Sequence, residues 1–214
     1  MNNNVLGIHI SDLNISMFID EIFLDFKNIK NVCVSATGAH GIITSRKNNE
    51  FYNTLNSFEY NLPDGQPCVW ISQIKGASNI QRCFGPFVFS DMMKATNELN
   101  INHYFCGGRE GVADRLAVSS KIQFNNDNVV GTFSPPFHKL SESDIKNMAN
   151  DINIKKTDIL WIGISTPKQE ILANRLAKYA NVKLIISVGA AFDYYTDSIK
   201  IAPNWVQKAG LEWL

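Results

Sequence analysis

At 214 residues the chain can bury a sizeable core as one large α/β domain, and 45% hydrophobic against 19% charged residues excludes a disordered polymer. Lys plus Arg and Asp plus Glu both total 20, so the net charge of zero argues against a generally basic nucleic-acid binder and leaves only a local patch. The four scattered cysteines, Cys33, Cys68, Cys83 and Cys106, have no zinc spacing and fit a reduced cytosolic compartment, and no apolar run is long enough to span a bilayer.

In chain order, MNNNVLGIHI lacks a basic stretch followed by a long apolar run, so no signal peptide is expected. Val5 to Ile10 reads as a short strand, and Ile15, Phe18, Ile19, Ile22, Phe23 and Phe26 recur at helical spacing. Val32 to Ala36 is the next strand, ending in Thr37-Gly38-Ala39-His40-Gly41, and one helix is expected through Tyr52 and Leu55. Phe58, Tyr60 and Leu62 alternate as a strand that runs into Pro63-Asp64-Gly65, with a helix opening at Pro67. A loop carrying Arg82 spans Gly76 to Pro86, and Val88 to Leu99 reads as a helix.

The second half repeats a β-loop-α pattern: strand His103 to Cys106, a glycine-rich turn at Gly107-Gly108, helix Val112 to Phe124, and strand Val129 to Thr132. Ser141 and Asp144 mark a helix start, leading to Ile152. Thr157 to Asn174 reads as a buried strand, Ile159 to Ile162, running through Gly163 into a helix with Pro167 at its first position. Strand Lys183 to Val188 ends in Gly189-Ala190-Ala191-Phe192-Asp193. Alternating strands and helices predict a mostly parallel sheet flanked by helices in one Rossmann-like domain, residues 1–214.

In such sheets ligands bind at the strand ends, where helix N-termini favour anions, and Lys168 adds a full positive charge beside one of them. A phosphate-bearing ligand is therefore expected. Gly107 and Gly108 fit either a phosphate cradle or a tight turn, since neither GxGxxG nor a P-loop is present. Gln169 completes Thr166-x-x-Gln169, and spacing alone favours a capping box over a ligand contact. Asp64 fits a general base at a strand end or an ordinary Asp-Gly turn, and Asp193 fits a base or ribose contact or a strand end. No Asp-x-Asp motif offers a divalent cation to a diphosphate, so neither a metal site nor a cofactor is expected. Tyr179 and Lys183 make a YxxxK spacing, but Lys183 opens a strand, which leaves a dinucleotide oxidoreductase remote.

Taken in order, TGAHGI at Thr37, PDGQPCVW at Pro63, QRCFGP at Gln81, CGGREGVA at Cys106, GTFSPPF at Gly131, STPKQE at Ser165, GAAFD at Gly189 and IAPNWVQKAGLEWL at Ile201 resemble the WecG/TagA/CpsF glycosyltransferases, glycosyltransferase family 26. The resemblance implies an inverting, metal-independent transfer of an N-acetylmannosamine-type sugar from a UDP-sugar to a polyprenyl-diphosphate-linked sugar. Such transfers occur at the inner face of the cell membrane, in teichoic acid, common-antigen or capsular polysaccharide synthesis. It makes Asp64 the general base and Thr37 and Gln169 polar residues lining the pocket, with Gln169 both capping and binding. Arg82, Gly85, Gly107, Gly108, Gly163, Lys168, Gly189, Phe192 and Asp193 fall in the matching motifs and are expected to frame the nucleotide-sugar.

Two departures accompany the match. Ala39 and His40 stand where many members have Asn two residues after the Thr, which suggests a subgroup with a different acceptor. Members usually continue past LEWL with a basic tail that meets the membrane and the diphosphate, whereas this sequence ends at Leu214. The alternative to an enzyme is thus a non-catalytic nucleotide-sugar-binding or assembly module. A terminal stripe of Trp205, Val206, Ala209 and Trp213 either packs on the core or is buried in a homo-oligomer.

Overall fold

The computed structural model describes residues 3–136, 138–196 and 206, so the expected terminal stripe lies almost wholly outside the described residues. The strand expected at Val5 to Ile10 is instead a hairpin, β1 (Asn4–Val5) paired antiparallel with β2 (Ile8–His9). Leu6 and Gly7 both take positive φ between them and turn the chain. Helix α1 (Ile15–Leu24) starts at Asn14, whose side chain accepts the Met17 N–H, and it buries Phe18 and Ile22. After β3 (Val32–Thr37) the single expected helix is two, α2 (Ala39–Ser45) and α3 (Asn49–Ser57). Asn48 between them is extended and caps Phe51, an alternative to continuing the helix that Asn readily takes.

Next come β4 (Tyr60–Pro63), α4 (Gln66–Ile74) and α5 (Gly85–Ala95), the last beginning at Gly85, inside the expected loop. Then follow β5 (His103–Gly107), α6 (Val112–Phe124), β6 (Val129–Phe133) and α7 (Glu142–Ile154), where Ser141 and Asp144 form the expected capping box. The order ends with β7 (Ile159–Gly163), α8 (Lys168–Leu176), β8 (Leu184–Ser187) and the short α9 (Ala191–Tyr194).

Six strands form one sheet in the order β4-β3-β8-β7-β5-β6, and every pairing in it is parallel. Such strands are covered on both faces, which is why β5, β7 and β8 are buried throughout and read as unbroken apolar runs. Period-2 alternation sends Val34, Phe105, Trp161 and Ile186 to one face, where they pack with α1, α5, α6 and α9. Cys33, Cys106, Ile162 and Ile185 go to the other, against α7 and α8. A third cluster joins the hairpin to α2, α3 and α4 through Ile8, Ile42, Phe51 and Val69. Phe89 sits at the centre of the first face, edge-on to Trp161 at 4.9 Å between ring centroids, and burying a ring of this kind contributes about 1.5 to 3 kcal/mol.

This winding positions the site. From β5 the chain leaves into α6 on one face, whereas from the neighbouring β7 it leaves into α8 on the other. Where adjacent strands send their helices to opposite faces, the loops part and leave a crevice at the C-terminal edge. All four cysteines are free and buried, and burial, followed by the Asp64 carboxylate, pushes the Cys83 thiol up to about 12. No helix among the described residues is long and apolar enough to cross a membrane.

Candidate active site

A cleft of about 1230 Å³ opens at this crevice. Its walls are the loops after β5, β6, β7 and β8, so Gly108, Gly163, Lys168, Gly189 and Asp193, far apart in sequence, come together there. Helices α6 and α8 both present their N-termini there, and neither N-cap, Gly111 or Pro167, makes a side-chain cap bond. Their leading N–H groups are paired within the chain, Val112 with the Arg109 carbonyl and Lys168 and Gln169 with the Ser165 carbonyl, so what the two helices offer at one place is the positive ends of their dipoles. Arg109, Arg115 and Lys139 add charge around the rim, and none of them, nor Lys168, has a salt-bridge partner among the described residues. Arg175 also lines the cleft but is committed to the Leu140 carbonyl and the Glu142 carboxylate, each at 3.0 Å. The arrangement favours an elongated polyanion. No cluster of three His, Cys, Asp or Glu side chains that could hold a metal ion occurs among the described residues.

Three glycines make the close packing possible. A Cβ on Gly163 would lie 2.4 Å from the ring of Phe192, and one on Gly107 would lie 2.3 Å from the Gly163 carbonyl oxygen. Phe192 is fully buried on the sheet beneath Gly163, outside the cleft lining. Gly107 is likewise buried, and Gly108 turns the chain with φ +69 while its N–H bonds the Gly163 carbonyl at 2.9 Å.

Asp64 lies farther along the same edge, after β4, half-buried against Gly38 and outside the cleft lining. Its backbone N–H donates to the Thr37 carbonyl, its own carbonyl accepts the Arg82 Nε–H at 2.6 Å, and its Oδ1 accepts the Gly85 N–H at 3.2 Å. Arg82 stacks 4.5 Å from the centre of the Phe84 ring, so it braces the Asp64 turn instead of entering the cleft. Gly85 in turn lies on the Val188 carbonyl, where a Cβ would approach to 2.5 Å. One glycine thus joins the Asp64 carboxylate to the strand end that carries Gly189.

Thr37 and Gln169 were expected to line the pocket, but both are buried beside it, at 3% and 1% exposure. The expected capping box at Thr166 is absent too. Helix α8 starts at Lys168, with Pro167 in the cap position, because the Thr166 hydroxyl is spent on the Glu170 carboxyl at 2.9 Å. Gln169 reaches across to β8 instead, its Oε1 accepting the Gly189 N–H at 3.0 Å while its Nε2 donates to Glu170 Oε1 at 2.8 Å. Thr37 donates to Asn61 Oδ1 at 3.2 Å or to Ser35 Oγ at 3.0 Å, tying β3 to β4. Sequence reasoning missed Ser35, Asn61 and Glu170; the cue for Glu170 was a carboxylate between Gln169 and Ile171 on a helix face turned to the sheet.

The sequence model of the Glycosyl transferase WecG/TagA/CpsF family matches residues 3–214. The chain belongs to that family. Similar proteins include the N-acetylglucosaminyldiphosphoundecaprenol N-acetyl-beta-D-mannosaminyltransferase of Bacillus subtilis strain 168, 21% identical over 94% of this chain and 77% of the relative. The enzyme of the same name from Bacillus spizizenii is 22% identical over 78% of this chain and 63% of its own length, so the match spans less than two thirds of that relative. Membership in the WecG/TagA/CpsF family makes the chain a glycosyltransferase and accords with a polyanion cleft at the strand ends.

Proposed function

We propose that residues 1–214 act as one glycosyltransferase domain that moves an N-acetylmannosamine-type sugar from a UDP-sugar to a polyprenyl-diphosphate-linked sugar. The observation that carries this reading is the pair of uncapped helix N-termini with Lys168 at the cleft, on the same sheet edge as Asp64. The names of the two Bacillus relatives support the acceptor and the sugar. A lipid-linked acceptor brings the enzyme to the inner face of the membrane.

The UDP diphosphate lies across the starts of α6 and α8, where the positive ends of the two helix dipoles and Lys168 meet the charge that develops as the leaving group departs. Asp64 takes the proton from the acceptor hydroxyl, that oxygen bonds to the anomeric carbon, and the bond from the anomeric carbon to the UDP oxygen breaks. Attack opposite the leaving group inverts the centre. Asp64 suits the role because its carboxylate accepts one backbone N–H and is held by Arg82 through the main chain, which fixes its direction.

The test is a calorimetric titration with UDP in EDTA, paired with transfer from UDP-N-acetylmannosamine to a lipid-diphosphate N-acetylglucosamine. Asp64→Asn is expected to bind UDP as the native chain does and to lose turnover by about a hundredfold or more. Near-native turnover by the variant would reject Asp64 as base, and a native chain that bound no UDP would reject the donor site.

A further inference from the structure

Beneath the cleft lies a polar group that family membership does not explain. Glu170 is 1% exposed, and three donors converge on its Oε1: Gln169 Nε2 at 2.8 Å, Thr166 Oγ1 at 2.9 Å and Ser35 Oγ at 3.2 Å. These come from α8, from the loop after β7 and from β3. The other oxygen, Oε2, is buried with no hydrogen-bond partner, and so is Ser187 Oγ. Ser187 is the register partner of Ser35 on β8, so the two side chains share a sheet face.

We infer that Glu170 is the positioning residue of the donor cleft: it orients the Gln169 amide and, through it, the Gly189 N–H that stands in the cleft wall. A Gln side chain can place either its oxygen or its nitrogen toward Gly189. Because Glu170 Oε1 accepts from Nε2, the amide oxygen is turned to the Gly189 N–H. Gly189 has φ +57, and that N–H is part of what holds the loop after β8 in the left-handed form. The chain of contacts therefore runs from β3 through Glu170 and Gln169 to the cleft.

Opposing effects act on the Glu170 carboxyl. The groups facing it from β3, α8 and the loop before α8 are hydroxyls and an amide, with no cation among them. Glu50 of α3 and Lys168 and Arg175 of α8 face the cleft, His40 of α2 is exposed, and Tyr52 of α3 packs on Gly7. Cys33 and Ser187, on the strands of this face, bring no charge, since burial raises the Cys33 thiol to about 12. Burial raises the Glu170 carboxyl as well. Against burial, the three donors on Oε1 favour the charged form, and Oε2 has no hydrogen-bond partner.

The inference rests on the donor-site reading for its effect on UDP, but its direct readout is independent of it: hydrogen exchange at the Gly189 amide in the ligand-free protein, alongside UDP affinity and turnover. Glu170→Gln keeps the Oε1 acceptor without charge, and is expected to leave Gly189 exchange, UDP affinity and turnover within about twofold of native. Glu170→Leu removes the acceptor and is expected to speed Gly189 exchange and weaken UDP about five- to tenfold, chiefly as a raised KM for the donor. Unchanged Gly189 exchange in a folded Glu170→Leu protein would overturn the inference; should that variant not fold, Gly189 exchange in Glu170→Gln as fast as in unprotected loops would overturn it. Absence of UDP binding in the native chain would reject the donor-site reading and leave the exchange result standing.

Discussion

Gln169 Oε1 accepts the backbone N–H of Gly189 at 3.0 Å, and this bond joins the first turn of α8 to the loop after β8 across the cleft wall. Gln169→Leu removes it and also one of the three donors to Glu170 Oε1, leaving the part-buried Gly189 N–H unsatisfied. With one orphaned group the variant is expected to lose about 1 to 3 kcal/mol of stability and to bind UDP more weakly. Urea denaturation and calorimetry check the two effects. A midpoint equal to native would show that the bond is not maintained in solution.

Gly163→Ala tests the floor of the cleft. The added Cβ would meet the Phe192 ring at 2.4 Å, and Phe192 cannot retreat easily because Phe89 and Phe105 pack behind it. Overpacking of this kind costs about 1 to 3 kcal/mol. Adding Phe192→Leu should recover part of that loss, since a smaller side chain leaves room for the methyl. If the double variant were less stable than the sum of the singles, the proposed contact would not be the cause.

How much of this was legible depended on whether the decisive contacts were local. Helix α6 was expected from Val112 to Phe124 and forms over those residues, and β5, β7 and β8 announced themselves because two-face burial leaves unbroken apolar runs. Local chemistry also marked the Ser141 capping box. What failed was decided at a distance. The Thr166-x-x-Gln169 spacing fits a cap as well as any, but Gln169 finds a better partner 20 residues on, and Thr166 is drawn to a carboxyl that also bonds Ser35, 135 residues before it. Asp64, Gly85 and Val188 likewise meet only because β4, α5 and β8 share one sheet edge, which no window of sequence displays.

Lys168 separates binding from stability. It stands exposed at the first position of α8, where a cation opposes the helix dipole. Lys168→Ala is therefore expected to raise stability slightly, by about 0.3 to 1 kcal/mol, and to weaken UDP. The affinity loss should shrink as salt is added, because an exposed charge is screened. A variant less stable than native with unchanged UDP affinity would remove Lys168 from the site.

His103 governs the acid limb of stability. It is fully buried between Trp161, whose Nε1–H donates to its Nδ1 at 3.0 Å, and Thr96, 3.0 Å from its Nε2. Accepting from Trp161 makes Nδ1 the unprotonated nitrogen, so the neutral ring donates from Nε2 and there is no place for a second proton. Burial accordingly holds the imidazole down to about 3, against about 6.5 in an unfolded chain. Between those values the unfolded chain binds the proton and the folded chain does not, so this contribution is complete above about pH 6.5 and is lost as pH falls toward 3. One such group gives a slope of up to about 1.4 kcal/mol per pH unit. His103→Asn, whatever its stability at neutral pH, should unfold with a shallower dependence on pH between 6.5 and about 3. Urea midpoints measured across that range decide it: parallel native and variant curves would mean that His103 takes up its proton in the folded state.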